Sequence, residues 1–165
     1  MNGSAGMYKR GMISIRALPP VTGCEDSVDP RDPFGALCEF YRAFNGRDLA
    51  LMERNWVTSE EVSMAHPLGG IRRGWPDIRE GYEHIFWGGA TVYVEFYDYS
   101  IHCCGEMFYA VGRERGTLQG DNRSLELKFR TSRIFRFTSD RWRQIHHHGS
   151  IENPELLLRY QAAIR

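Results

Sequence analysis

No stretch of the 165-residue chain approaches the roughly 18 consecutive apolar residues that a membrane-spanning helix needs. The N-terminus carries Lys9 and Arg10 but no apolar run of signal-peptide length, so a cytoplasmic protein is expected. An excess of one charge is also missing. With 21 Lys plus Arg against 21 Asp plus Glu the net charge is zero, and no global field favours nucleic acid or an anionic membrane as a partner. Cysteine is scarce: Cys24, Cys38, Cys103 and Cys104 show no C-x-x-C spacing, and the adjacent pair would point to opposite faces of a strand. Reduced thiols, rather than a disulfide framework, are the expectation. There is no internal repeat and no low-complexity block. What is present is apolar, 42% hydrophobic and 13% aromatic, which suffices for the core of one domain.

Residues 1–31 are rich in Gly, Ser, Pro and Asp without sustained periodicity and are expected to form an N-terminal arm, poorly ordered or extended. The domain then runs over 32–165. Asp32 caps a helix with Pro33 at its first position, and Phe34, Leu37, Phe40, Tyr41 and Phe44 recur at helical spacing until Asn45-Gly46. Asp48 starts a second helix with Leu49, Met52 and Trp56 on one stripe. Val62 to His66 and Ile71 to Gly74 read as a short hairpin, and Trp75-Pro76-Asp77 opens a third helix closed by Gly88-Gly89. From Val92 onward the period changes from 3.6 to 2. Four long strands are predicted, 92–103, 107–115, 124–138 and 142–150, with short turns that make them antiparallel, and Asn153-Pro154 caps a last helix placed to cover a pocket mouth or a partner. Helices followed by long strands predict an α+β domain with helices against one face of a curved sheet.

The candidate chemistry lies on this sheet. Leu125, Leu127, Phe129, Thr131, Arg133, Phe135 and Phe137 share one parity, so Arg133 falls on the apolar face, where an unpaired charge is costly. It is either a ligand anchor, through its planar fork of donors, or the partner of a buried Glu114. Glu114 shares parity with Phe108, Ala110 and Gly112 and, if inward, is a candidate base; a bulge at Gly112 would turn it outward and Arg113 inward. In the next strand the alternation puts Trp142, Gln144, His146 and His148 on one face and Ile145 and His147 on the other. His146 and His148 are thus read as inward groups able to shuttle a proton or donate to a ligand, or as a hydrogen-bonded rim. Two histidines alone make a weak metal signal, since a third ligand from His66 or His102 would depend on folding, so no metal and no cofactor is assigned. Tyr93, Glu95, Tyr97 and Tyr99 share a face that suits the interface of a homodimer.

The pattern R-I-F-R, a turn, then W-R-x-I-H-x-H-x-S resembles the closing hairpin of the SnoaL-like branch of the nuclear transport factor 2-like superfamily. The segments EFYRAFNGRDLALMERNW, HPLGGIRRGWPDIREGY and YAVGRERGTL extend the resemblance from about Pro33 to Ile164. The H-x-H-x-S ending also resembles the association domain of calcium/calmodulin-dependent kinases in the same superfamily. The resemblance implies a cone: a sheet wrapped around the N-terminal helices, with a cavity at its wide end. It places Trp56, Met64, His66, Trp75, Tyr82 and Phe86 where helices and the short hairpin meet that cavity, most of them as packing; Phe129, on the Arg133 face of its strand, is a further ligand-binding candidate. It also implies two functions. One is a cofactor-free isomerase, dehydratase or cyclase acting on a small carbonyl or hydroxy compound, with Glu114 or His146 as base and Arg133 with His148 stabilising the oxyanion. The aspartate base of ketosteroid isomerases has only Asp98 as a counterpart, by parity with Val92, Val94 and Phe96. The other is a noncatalytic module that binds a small acidic ligand or assembles subunits.

Overall fold

In the structure, a computed structural model that describes residues 18–26, 28–120 and 123–164, the apolar periodicities become four helices and one sheet. Helix α1 (Pro33–Asn45) starts where the Asp32 carboxylate accepts from the Gly35 amide at 3.2 Å, and α2 (Leu49–Asn55) starts the same way from Asp48 to Leu51 at 2.9 Å. Helix α3 (Trp75–Trp87) has no side-chain cap; Gly74 precedes it at φ 75°, a conformation that favours glycine. Asp77 instead ties its first turn to the strand before it, through the Arg73 amide and the Arg72 guanidinium. Asn153 caps α4 (Pro154–Ile164) by accepting from Glu155 and Leu156.

The strands are β1 (Ser63–Ala65), β2 (Ile71–Arg73), β3 (Thr91–Cys104), β4 (Met107–Gly120), β5 (Arg123–Thr138) and β6 (Arg141–Ser150). They form one sheet in the order β2-β1-β6-β5-β4-β3. The long strands pair antiparallel as expected, but β1 joins β6 in parallel, so the sheet is mixed. Its inner face packs on α1, which is buried around most of its circumference, Ala36, Leu37, Phe40, Tyr41 and Ala43 among its enclosed residues. Turn residues Asp121 and Asn122 and arm residues 1–17 lie outside the described residues.

Residues 18–26 are a strap on the β3 edge. Val21, fully buried, exchanges both backbone hydrogen bonds with Phe96, and Asn45 from α1 joins Thr22 to Val94. An otherwise open edge is thereby covered.

Two bulges decide which side chains face inward. In β3, Tyr97 pairs with Arg113 and Ser100 with Val111, leaving an extra residue on β3 opposite Gly112. Asp98, at φ 47°, is turned out to solvent, and Tyr99 is turned in to stack on Phe96 at 4.8 Å. Gly112 makes room for this: a Cβ there would stand 2.5 Å from that of Tyr99. In β6, Phe135 pairs with Gln144 and Ile134 with His146, so Ile145 is the extra residue and every later side chain exchanges faces.

Candidate functional site

The inner face carries a buried polar cluster built from four elements, α1, β4, β5 and β6. Arg133 on β5, 1% exposed, pairs with Glu114 on β4 at 2.8 Å. Because the first bulge lies on β3 rather than β4, the alternation of β4 is undisturbed and Glu114 stays inward. Its Oε1 also accepts from the Tyr41 hydroxyl of α1 at 2.5 Å, and its Oε2 from Thr131 at 2.9 Å. Arg133 donates through Nη1 to Gln144 at 2.9 Å and through Nε to Tyr41 at 3.3 Å. The guanidinium carbon sits 3.5 Å from the Phe40 ring centroid, a cation–π contact. Both carboxylate oxygens and all three guanidinium nitrogens therefore have protein partners. Burial pushes the Tyr41 hydroxyl well above its usual range, with Glu114 adding to the effect against Arg133, so its proton stays in place to donate.

His147, cross-strand from Arg133, reaches the same cavity. It is 93% buried by the complement of its 7% exposure, and neither ring nitrogen has a hydrogen-bond partner. Burial first, then the Arg133 charge, holds its pKa well below the ordinary imidazole value, so it is neutral. The hydroxyl of Tyr82 on α3 is likewise buried, close to the donors of Trp56 and Arg133 but in a well-formed hydrogen bond with neither, and burial raises its pKa. Partly buried His66, after β1, is drawn down to about 4 by burial and by Arg72. With Glu114 and Arg133 these groups line a cavity of ≈ 40 Å³ whose remaining wall is largely apolar, including Phe44, Met64, Ile85, Val94 and Phe129. Helix α4 closes it with Tyr160, stacked on Phe129 at 5.7 Å. A more open hollow of ≈ 490 Å³ lies between β2 and α3, lined by Arg72, Glu80, Glu83, His84 and Trp87, and no unpartnered buried group faces it.

The structure brings Glu114, Arg133, His66, Tyr82 and Phe129 to the cavity. Trp56 and Phe86 are buried behind it: Trp56 packs on Trp75 and Tyr82 with its indole N–H unpartnered, and Phe86 packs on Phe44 and Tyr82. The inward reading of His146 and His148 is corrected. The Ile145 bulge turns both to the outer face, where His146 Nδ1 lies 2.7 Å from Ser63 Oγ and His148 is exposed, and it turns His147 inward. Asp98 is also corrected: it is looped out beside Arg113 at 3.5 Å. Tyr99 leaves the proposed outer tyrosine face for the core by the same bulge. The residues missed are His147, Tyr41, Gln144 and Tyr160. Tyr41 was visible only as part of a core stripe, whereas Gln144 stood at an inward position next to Arg133's strand, and that polar interruption was a usable signal. Among the described residues no three His, Cys, Asp or Glu side chains are grouped so as to hold a metal ion. None of the described helices is long and apolar enough to cross a membrane.

Comparison with known proteins gives a consistent family. Residues 35–154 match the SnoaL-like domain. The chain is 22% identical over 150 residues to the F-box protein SKIP8 of Arabidopsis thaliana, a match that takes in 87% of the chain but only 60% of that longer protein. Among solved structures, it resembles a candidate calcium/calmodulin-dependent protein kinase type II association domain from Thiobacillus denitrificans (24% identity, 78% of this chain and 100% of that one, TM-score 0.60). It also resembles a candidate dehydratase of the NTF2-like family from Streptomyces avermitilis (21% identity, 70% of this chain and 90% of that one, TM-score 0.63). At these identities the structures establish a shared cone fold.

Proposed function

The chain belongs to the SnoaL-like domain family, and on that premise we propose that it is a cofactor-free enzyme of the isomerase, dehydratase or cyclase kind. Its substrate is a small carbonyl or hydroxy compound. The observation that carries this reading is His147: an imidazole held neutral, with both nitrogens free, facing the same cavity as the free hydroxyl of Tyr82. A neutral imidazole takes a proton from carbon or oxygen with one nitrogen and can return it elsewhere on the substrate. In this reading the Tyr82 O–H donates to the oxygen on which negative charge develops. Glu114, bonded to Tyr41, Thr131 and Arg133, holds this arrangement rather than acting as the base. The name of the dehydratase-like relative agrees with this chemistry, and four free thiols agree with a cytoplasmic setting.

Enzymatic removal of a proton next to a carbonyl can be observed without knowing the physiological product. In deuterated buffer, the protein is incubated with hydroxyacetone, cyclohexanone and 2-cyclohexenone, and loss of the α-proton signals is followed by NMR. Exchange above the buffer rate is expected with at least one compound and should fall about 10²–10⁴-fold in His147→Gln, the usual contribution of a general base, while His146→Gln retains it. Buffer-rate exchange for every compound, or full activity in His147→Gln, would sink the catalytic reading.

A further inference from the structure

The cluster also constrains the charge of whatever the cavity holds, and this inference rests on the reading of His147 and Tyr82 as ligand-facing groups. Seven titratable groups on every element around the cavity matter: Arg133 on β5, Glu114 on β4, His147 on β6, His66 after β1, and the tyrosines 41, 82 and 160 on α1, α3 and α4. Arg133 and Glu114 cancel each other at 2.8 Å. Each also has further partners, the arginine Gln144 and Tyr41, the carboxylate Tyr41 and Thr131. In the resting protein burial keeps His147 and His66 neutral and the three tyrosines protonated. A ligand therefore meets a wall with no net charge.

We infer that the cavity selects a compact, uncharged oxygen compound bearing a carbonyl and a hydroxyl, and rejects the carboxylate of the same size. An anion entering beside Arg133 would also enter beside Glu114, and it would have to displace that carboxylate to gain an ion pair, leaving one of the two buried and unpaired. A cation would find the one carboxylate, Glu114, already committed to Arg133. The unpartnered set suits a neutral molecule instead: Tyr82 donates to a carbonyl oxygen, and the imidazole offers one donor and one acceptor, the acceptor for a ligand hydroxyl. The size follows from the volume. An apolar cavity of about 150 Å³ takes up benzene, and this one measures ≈ 40 Å³, room for a molecule of few heavy atoms. On this inference the ligand is neutral rather than the acidic one expected from Arg133 as a recognition residue, because folding pairs Arg133 internally.

The test compares hydroxyacetone with lactate, probes of similar size that differ in charge, by titrating the isotopically labelled protein at pH 7.5 and following its amide resonances. Saturable shifts are expected with hydroxyacetone and at least tenfold weaker ones with lactate. Tyr82→Phe should weaken hydroxyacetone severalfold with the spectrum otherwise preserved. Glu114→Gln, nearly isosteric, uncovers the arginine charge, and lactate affinity should rise at least tenfold in it. Lactate binding to the unaltered protein as tightly as hydroxyacetone, or saturable shifts from neither probe, would overturn the inference. Neutral-selective binding without α-proton exchange would leave it standing and remove only the catalytic reading.

Discussion

Arg113 and Glu114 are consecutive residues of β4, yet they belong to ion pairs of opposite character. Arg113 meets Asp98 on the outer face at 3.5 Å, with side chains 53% and 74% exposed; Glu114 meets Arg133 on the inner face at 2.8 Å, with side chains 5% and 1% exposed. Outside, water screens the attraction and loses little when the pair is broken. Inside, two charges removed from water depend on each other and on Tyr41, Thr131 and Gln144 for everything that hydration supplied. The pleat of one strand separates these two regimes by a single residue. It follows that the inner pair is a poor measure of net stabilisation but a sensitive point of failure, and it is beside this balanced pair that neutral His147 and Tyr82 are the groups proposed to meet a ligand.

The contrast can be broken at its strongest point by Glu114→Ala. Removal of the carboxylate leaves Arg133 buried without a counter-charge, and urea denaturation should show a loss of about 3–5 kcal/mol. A loss below about 1 kcal/mol would mean that water reaches Arg133 and that the inner face is not dry. A smaller effect tests the neutral histidines. Unfolded histidine titrates near 6.5, whereas His66 in the fold titrates at about 4 and His147 well below its ordinary value. Below pH ~6.5 the unfolded chain takes up protons that the folded chain refuses, so these residues favour folding fully above that pH and progressively less as pH falls toward about 4. The urea midpoint should decline over that window, and His66→Gln should flatten part of the decline; an unchanged slope would remove His66 from the buried set. The smallest effect belongs to the outer pair. Asp98→Ala should change stability by no more than about 1 kcal/mol, and added salt should reduce the difference further.

The layout of the domain was legible because its signals are local. Asp32-Pro33 and Asp48 cap helices, the change from helical to strand period at Val92 marks where the long strands begin, and the parity of Leu125 to Phe137 puts Arg133 on the buried face. From Arg133 and Glu114 on facing apolar parities the buried pair could also be anticipated. Tyr41 could not be assigned to it, because helical spacing says that a tyrosine is buried without saying what its hydroxyl meets. The histidines went wrong for a different reason. Alternation carries information along a strand only while pairing stays in phase, and one unpaired residue inverts everything after it. Ile145 is an ordinary strand former, so nothing in HHH or its flanks announces that it stands unpaired.

The chain alone therefore determined an α+β domain, the order of its helices and strands, the absence of long apolar runs, and an arginine that could not stand alone on a buried face. Tertiary structure decided the rest: that β1 lies parallel to β6, that Asp98 is expelled and Tyr99 admitted, and that His147 rather than His146 or His148 reaches the cavity. The physical reason is range. Capping, periodicity and the cost of an isolated charge act between near neighbours in sequence, whereas a bulge is fixed by how two strands and the helix beneath them pack, through contacts such as Gly112 with Tyr99 and Phe96.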